Sequence, residues 1–351
     1  MMKAAVVHAL NDIKCEDVPE QVVGPGDVKI MVKYCGICGS DMPRVLNGTC
    51  HSFPQILGHE FSGIVAEIGS DVTSVSVGDN VVGIPLVPCM KCQDCERGDF
   101  SLCRHYSFIG SRQPGGMAEC VVVPEQNAFK IDPSIPLEKA VFFEPSTVAL
   151  HGVLLNGFTP KPEDRVVVFG AGTIGILLVQ WCHIFGAREI VVVGRSRERL
   201  AVALKYGASK VYSTLDDGWQ DAAIAATDGN GYEYVFDAAG SDMSLKGGFY
   251  LAGNKSRYCM VGTPTKPMQF SVKEWEIINR KEMLVTGSWM SYSRPWPGVE
   301  WKKTAECMAS GELVIGDDMV CRHFPLEEVS SAFKAIEVNR AAIKGRVIID
   351  M

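Results

Sequence analysis

The stretch Arg165–Gly175, RVVVFGAGTIG, decides the fold. Its first half is a continuous apolar run, as a strand buried on both faces requires. Its second half spaces Gly170, Gly172 and Gly175 as G-x-G-x-x-G, and the following TIGILLVQWCHIFGA reads as a helix. Alone the glycine pattern says little, because glycines are common in tight strand-to-helix turns. Directly after a buried strand and at the start of a helix, it has the context that a dinucleotide site requires. Gly170 permits the tight turn, Gly172 lets backbone approach a pyrophosphate, and Gly175 lets helix and sheet pack closely. The helix start, with Thr173 and Ile174, offers free N–H groups and a favourable dipole to phosphate.

C-terminal to this turn, EIVVVG is a second buried run, and YEYVFDAAG, SRYCMVG and EMLVTGSW are further strand candidates separated by segments able to be helices. Strand alternating with helix means a parallel sheet, so a doubly wound α/β domain is expected over 153–289. NAD-specific domains place an acidic residue about twenty residues beyond the glycine turn, where it binds the ribose hydroxyls. Here that position is Gly194, in EIVVVGRSRERL. A glycine leaves room for a 2′-phosphate, the Arg195 guanidinium can grip one, and Ser196 can add a hydroxyl donor. Arg197 can contribute, whereas Arg199 suits the exposed start of a helix. The strand end therefore predicts NADP(H) over NAD(H).

N-terminal to the turn lies a polar connector, TPKPED, and before it a different texture. Short valine-rich strands broken by Gly and Pro (DVKIMVKYCG, HEFSGIVAEIG, GDNVVGIPLV, MAECVVVP) suit a twisted antiparallel, barrel-like domain. The C-terminal KGRVIID reads as its closing strand. The expected division is thus 1–152 with 290–351 for one domain and 153–289 for the other.

The stretch CMKCQDCERGDFSLC places Cys89, Cys92, Cys95 and Cys103 within fifteen residues. A disulfide framework is unexpected: the N-terminus shows no cleavage pattern, no run reaches membrane-span length, and the 13 cysteines are odd in number. A cytoplasmic address, where thiols stay reduced, is the expectation that follows. Iron–sulfur spacing would need C-x3-C-P at the end, whereas here the last gap is seven residues and no proline follows Cys103. Four thiolates suit a closed, tetrahedral structural zinc that leaves no place for substrate. Chemistry must lie elsewhere. A second set of metal-binding residue types is Cys38 in YCGICGSD, His59 and Glu60 in LGHEFSG, and Glu144 in FFEPSTVALHG. Each also has an ordinary reading, a buried small thiol or a strand-end charge, and spacing does not choose. A catalytic zinc does use three such ligands and keeps a fourth position open.

Together CGICGSD, GHEFSG, the four-cysteine lobe, FEPSTVALHG, GAGTIG and KGRVIID make the chain resemble the zinc-dependent medium-chain alcohol and polyol dehydrogenases over essentially its full length. The resemblance implies a GroES-like catalytic domain, a Rossmann domain and two zinc ions per chain. It implies that Cys38, His59 and Glu144 hold a catalytic zinc, with Glu60 a carboxylate able to approach it. A glutamate at the third ligand position is similar to the sorbitol dehydrogenase branch. Ser40 matches the hydroxyl that relays the substrate proton, Asp41 belongs to the motif without an assignable role, and Cys35 suits packing. Many members continue this motif with a histidine, where this chain has Pro43; His51 can stand in for it, though a surface role is more common. A homo-oligomer, dimer or tetramer, is also implied.

The segments YSFIGSRQPGGMAE and TGSWMSYSRPWPGVEW are most similar to the galactitol-1-phosphate dehydrogenases of the polyol branch. That implies reversible oxidation of a secondary hydroxyl of a polyol or polyol phosphate to a ketose. Arg112, Trp289, Tyr292 and Arg294 are the substrate candidates, while the aromatics among them equally suit packing. Two other classes stay open. Another small secondary alcohol or diol can be the substrate of the same machinery. A zinc ribbon binding nucleic acid is disfavoured by a net charge of −7, as is any membrane partner by the lack of a span.

Overall fold

In the computed structural model, which describes residues 1–338 and 343–351, the run at Arg165–Phe169 is a strand with every valine fully buried. Two compact units are present. One comprises Met1–Glu144, Tyr292–Gly311 and Ile315–Met351, and the other Pro145–Ser291 and Glu312–Val314.

The second unit is a six-stranded parallel sheet: β1 (Arg165–Phe169), β2 (Glu189–Gly194), β3 (Lys210–Ser213), β4 (Tyr232–Asp237), β5 (Ala252–Met260) and β6 (Leu284–Gly287), in spatial order β3-β2-β1-β4-β5-β6. All five ladders are parallel. This is the Rossmann arrangement, and strand order reverses between β1 and β4, the place where such sheets bind ligands at their carboxyl ends. Each strand is short and valine- or aromatic-rich because helices cover both faces and leave no solvated side.

The first unit is the GroES-like one. Its central strand Asp27–Gly36 buries Val28, Ile30 and Val32 at every second position, as a pleated strand with one core face must. It pairs antiparallel with Glu60–Ile68, Cys120–Pro124 and the closing strand Arg346–Asp350, which itself lies parallel to Val320–Pro325. The register sets Ile348 opposite Gly36 and Ile349 opposite Cys35. The C-terminal segment therefore completes the N-terminal sheet, and Phe61, Val81, Phe324 and Phe333 fill one shared core.

The aromatic-rich segment after β6 is used for packing. Tyr292, 2% exposed, stacks on Trp296 at 5.6 Å and on Trp301 at 5.9 Å, and Trp301 lies 5.5 Å from Phe143. The Trp296 Nε1–H donates to Gln126 O at 2.9 Å. Arg294 donates to the carbonyls of Cys95 and Glu96, 3.4 and 2.7 Å away. The Tyr292 ring thus lies in a stack and the Arg294 guanidinium braces the cysteine lobe, contacts of the kind the packing alternative expects. Trp289, in the other unit, is half exposed.

Candidate metal centres and cofactor cradle

Strand register assembles the first centre. Gly36 pairs with Glu60, so Cys38, two residues beyond one strand, meets His59 just before the other. Ligand atoms of Cys38, His59 and Glu60 lie within 4.8 Å of one another. Gly58 turns the chain into this pair at φ +99°, and a Cβ there would stand 2.7 Å from both Cys35 Sγ and Met117 N. Only glycine fits. Cys35 itself is fully buried, a packing residue.

Two residues whose part the sequence did not disclose hold the centre in place. Asp41, fully buried, accepts from Cys38 N–H at 3.0 Å and from Arg44 at 2.9 Å, and lies 3.5 Å from His59 Nδ1. Arg346, from the closing strand, pairs with Glu60 Oε1 at 3.1 Å and donates to Ile37 O at 2.9 Å. Asp41 stood in the recognised motif and Arg346 in KGRVIID, but only the ladder shows what each touches. Ser40 is exposed, and its Oγ accepts from Arg44 at 3.1 Å.

The electrostatics are those of charges forced together. Burial pushes the Cys38 thiol up, but His59 outweighs it and draws the thiol down to about 6. Burial would lower His59, yet Asp41 and Cys38 hold it well above the usual imidazole range. Burial raises Glu60 well above the carboxylate range, against the pull of Arg346. Glu144, in the first turn of the helix Phe143–Leu155, lies outside the 4.8 Å group. It belongs to the same field: burial, then Glu60, push its carboxyl up to about 7, with His59 and Arg346 opposing. His59 Nδ1 and Glu60 Oε2 are buried without a hydrogen-bond partner. Each such orphan costs about 1–3 kcal/mol. A cation would relieve both, and a sulfur, nitrogen and carboxylate donor set suits zinc. The residues fit the metal.

The second centre is local. Cys92 Sγ lies 3.6 Å from Cys95 Sγ and 3.9 Å from Cys103 Sγ, and Cys89 N–H donates to Cys103 Sγ at 3.3 Å. Tetrahedral zinc with Zn–S of about 2.3 Å sets sulfurs about 3.8 Å apart, whereas a disulfide needs about 2.05 Å. No cysteine is bridged. Backbone N–H groups of Cys95 and Arg104 draw Cys92 down to about 6, while burial first, then Cys103 and Cys92, push Cys95 up to about 12. Such unequal thiols crowded together also fit zinc, which would hold all four as thiolates.

The cofactor cradle lies at the end of β1. Gly170 adopts φ +101°, and a Cβ on Gly175 would stand 1.7 Å from Gly170 O, which only glycine permits. Gly172 faces open space and precedes the helix Thr173–Ile184 without a side-chain cap, leaving the Thr173 and Ile174 end of the helix to an anion. Gly194 closes β2. Arg195 is exposed and has no hydrogen-bond or ion-pair partner among the described residues. Ser196 is less available: it caps the next helix, accepting from Arg199 N–H at 3.4 Å and donating to Glu198 at 2.8 Å. Arg197 pairs with Asp216. Asp237, at the end of β4, is 1% exposed and accepts from Ala239 and Gly240 N–H at 2.9 and 3.1 Å and from Ser244 at 3.1 Å, which fixes the turn after that strand.

Residues 24–133 match the alcohol dehydrogenase GroES-like domain, and residues 173–306 the zinc-binding dehydrogenase domain. Galactitol 1-phosphate 5-dehydrogenase of Escherichia coli K12 is 32% identical over 335 residues, 95% of each chain. A probable D-xylulose reductase A of Aspergillus clavatus is 31% identical over 95% of this chain and 93% of its own. Among solved structures, galactitol-1-phosphate dehydrogenase from Escherichia coli superposes with TM-score 0.92 at 31% identity, covering 100% of both chains. A zinc-binding dehydrogenase from Sinorhizobium meliloti 1021 bound to NADP gives 0.88 at 29%, covering 100% of this chain and 99% of its own. An alcohol dehydrogenase from Escherichia coli CFT073 complexed with NADH gives 0.89 at 26%, with the same coverage. Sequence and fold thus agree over nearly the whole length, and the chain belongs to the zinc-dependent medium-chain alcohol and polyol dehydrogenases.

Proposed function

We propose that the protein reversibly oxidises a secondary hydroxyl of a polyol phosphate resembling galactitol 1-phosphate, or of the free polyol, to a ketose with NADP(H). The observation that carries this is the buried meeting of Cys38, His59 and Glu60, with two orphaned polar atoms, beside the exposed Ser40 hydroxyl. Two relatives support the substrate class: one is named a dehydrogenase of galactitol 1-phosphate and another a reductase of D-xylulose. These are the two directions of polyol–ketose interconversion.

Residues 1–152 with 290–351 supply catalysis in this reading, and residues 153–289 bind the cofactor. Cys38, His59 and Glu144 hold one zinc; Cys89, Cys92, Cys95 and Cys103 hold the other, which is structural. When bound, the first zinc supplies a Lewis acid for the reacting oxygen, and the nicotinamide takes or returns the hydride. Asp41 orients His59, and Arg346 fixes one oxygen of Glu60 while the other is buried without a hydrogen-bond partner among the described residues. The Ser40 hydroxyl takes the substrate proton and, being exposed, hands it to water, so no histidine is needed where Pro43 stands. Arg44 donates to one lone pair of Ser40 Oγ and leaves the other for the substrate hydroxyl. Gly172, Thr173 and Ile174 receive the pyrophosphate, and Arg195 grips the 2′-phosphate. One observation favours NAD(H) as the second reading: Ser196 is turned to Glu198, an acid able to meet ribose hydroxyls.

A reduction screen with NADP and NAD across free and phosphorylated polyols, small diols and primary alcohols tests the reading. The expected result is NADP reduction by hexitol and pentitol phosphates. Activity confined to simple primary alcohols would overturn it.

A further inference from the structure

Beside the first metal centre, within the same unit, stands a group of cations with little acid to balance it. Arg112 lies one tight turn from the centre: its N–H donates to Phe108 O at 2.9 Å, and the Phe108 ring packs edge-on against His59 at 5.6 Å. Its guanidinium is exposed, with Cζ 4.3 Å above the Tyr106 ring centroid, and donates to that residue's hydroxyl at 3.3 Å. Arg44 stands on the helix Asp41–Leu46, bound to Ser40 and Asp41. His51 follows that helix, exposed. Burial, then the charges of Arg112 and Arg44, hold its imidazole below the usual range, and no carboxylate opposes them. Neither Arg112 nor His51 has an acidic partner among the described residues. Asp41 is the acid here, and it is already committed to Arg44, the Cys38 N–H and His59.

Such a group is unexpected by chance in a chain of net charge −7. Arg112, a guanidinium left without an acid beside the reaction centre, fits an anion that arrives with the substrate, with Arg44 and His51 as further donors. A phosphate monoester is a dianion with a planar-fork match to guanidinium. The ring and hydroxyl of Tyr106 restrain the Arg112 guanidinium, which lowers the ordering cost of an anion contact.

We propose that Arg112, His51 and Arg44 form the subsite for the phosphate ester of the substrate, with Arg112 the residue that sets preference for phosphorylated over free polyol. Arg44 bridges the two tasks, since the guanidinium that holds Ser40 also faces the anion. This rests on the polyol reading above. It differs from the 2′-phosphate contact of the cofactor, which falls to Arg195.

The test is a calorimetric titration of zinc-loaded protein, without nucleotide, using a hexitol 1-phosphate, the free hexitol and inorganic phosphate. The variants are Arg112→Ala, His51→Ala with Arg112→Ala, and Arg195→Leu as control, each checked for a native melting curve. In the unmodified protein the ester should bind roughly tenfold or more tighter than the free hexitol, as a charge-assisted bidentate contact provides, with inorganic phosphate competing. Arg112→Ala should remove most of that ratio, and Arg112→Lys should restore part of it. Arg195→Leu should leave it. Equal binding of ester and free hexitol by the unmodified protein, or an undiminished ratio in the double variant, would overturn the subsite. Binding of inorganic phosphate without ester preference would also overturn it, since the anion would not then be the substrate's. Ester binding without turnover would uphold the subsite and sink the reaction assigned above, so the two failures are distinguishable.

Discussion

In the proposed reading Gly194 and Arg195 select the cofactor by charge, and their surroundings make that testable. A Cβ on Gly194 would stand 3.2 Å from Leu200 Cδ2, the movable end of a side chain, so an aspartate can be seated with a small shift. Gly194→Asp combined with Arg195→Leu adds an anion that repels a 2′-phosphate and removes the cation that attracts it. The ratio of kcat/KM for NADP to that for NAD should fall by roughly a hundredfold, about tenfold for each charge changed at about 1.4 kcal/mol apiece. Unmodified protein that already prefers NAD would show that Glu198, beside Ser196, decides instead. At the same scale, the contacts of Asp41 and Arg346 at the metal centre were not legible. Their meaning lies in partners distant in sequence, Arg346 reaching Glu60 across the whole chain. For Tyr292 and Arg294 the sequence left two readings open, because an aromatic, arginine-bearing segment reads alike whether it recognises a ligand or packs a lobe.

Elements with local determinants were legible. The cysteine lobe closes within fifteen residues, so its spacing alone narrows its chemistry, and the glycine turn announces itself by following a buried strand. The catalytic set was not, because it depends on the register that places Gly36 opposite Glu60 and the closing strand opposite Gly36. No local pattern encodes that register; the family motifs supplied it. For the lobe, Cys95→Ser should lower Tm by roughly 10 °C, taking about 4 kcal/mol for loss of a structural metal and about 2–4 °C per kcal/mol. Because zinc is held by thiolates, a chelator should strip and destabilise the lobe faster at pH 6 than at pH 8, acid protonating the ligands. Differential scanning calorimetry with and without chelator reads both effects. An unchanged Tm in Cys95→Ser would mean the lobe is not a staple.

At the scale of the molecule, the strand Asp27–Gly36 and the closing strand Arg346–Asp350 meet in one sheet, so the candidate metal ligands Cys38 and His59 and the C-terminal Arg346 form one centre on a single ladder. In the proposed reading reaction chemistry and structural zinc are thereby separated: one candidate centre is embedded in the sheet, the other in a loop that Arg294 braces. That separation is the central claim, and metal content measured together with turnover in Cys38→Ser tests it most directly. The unmodified protein should hold two zinc ions per chain and reduce NADP with a polyol phosphate. Cys38→Ser should hold one, melt near the unmodified temperature and lose turnover by at least about a thousandfold, the scale of losing a metal's charge stabilisation. A variant that keeps both its zinc content and its turnover would contradict the account.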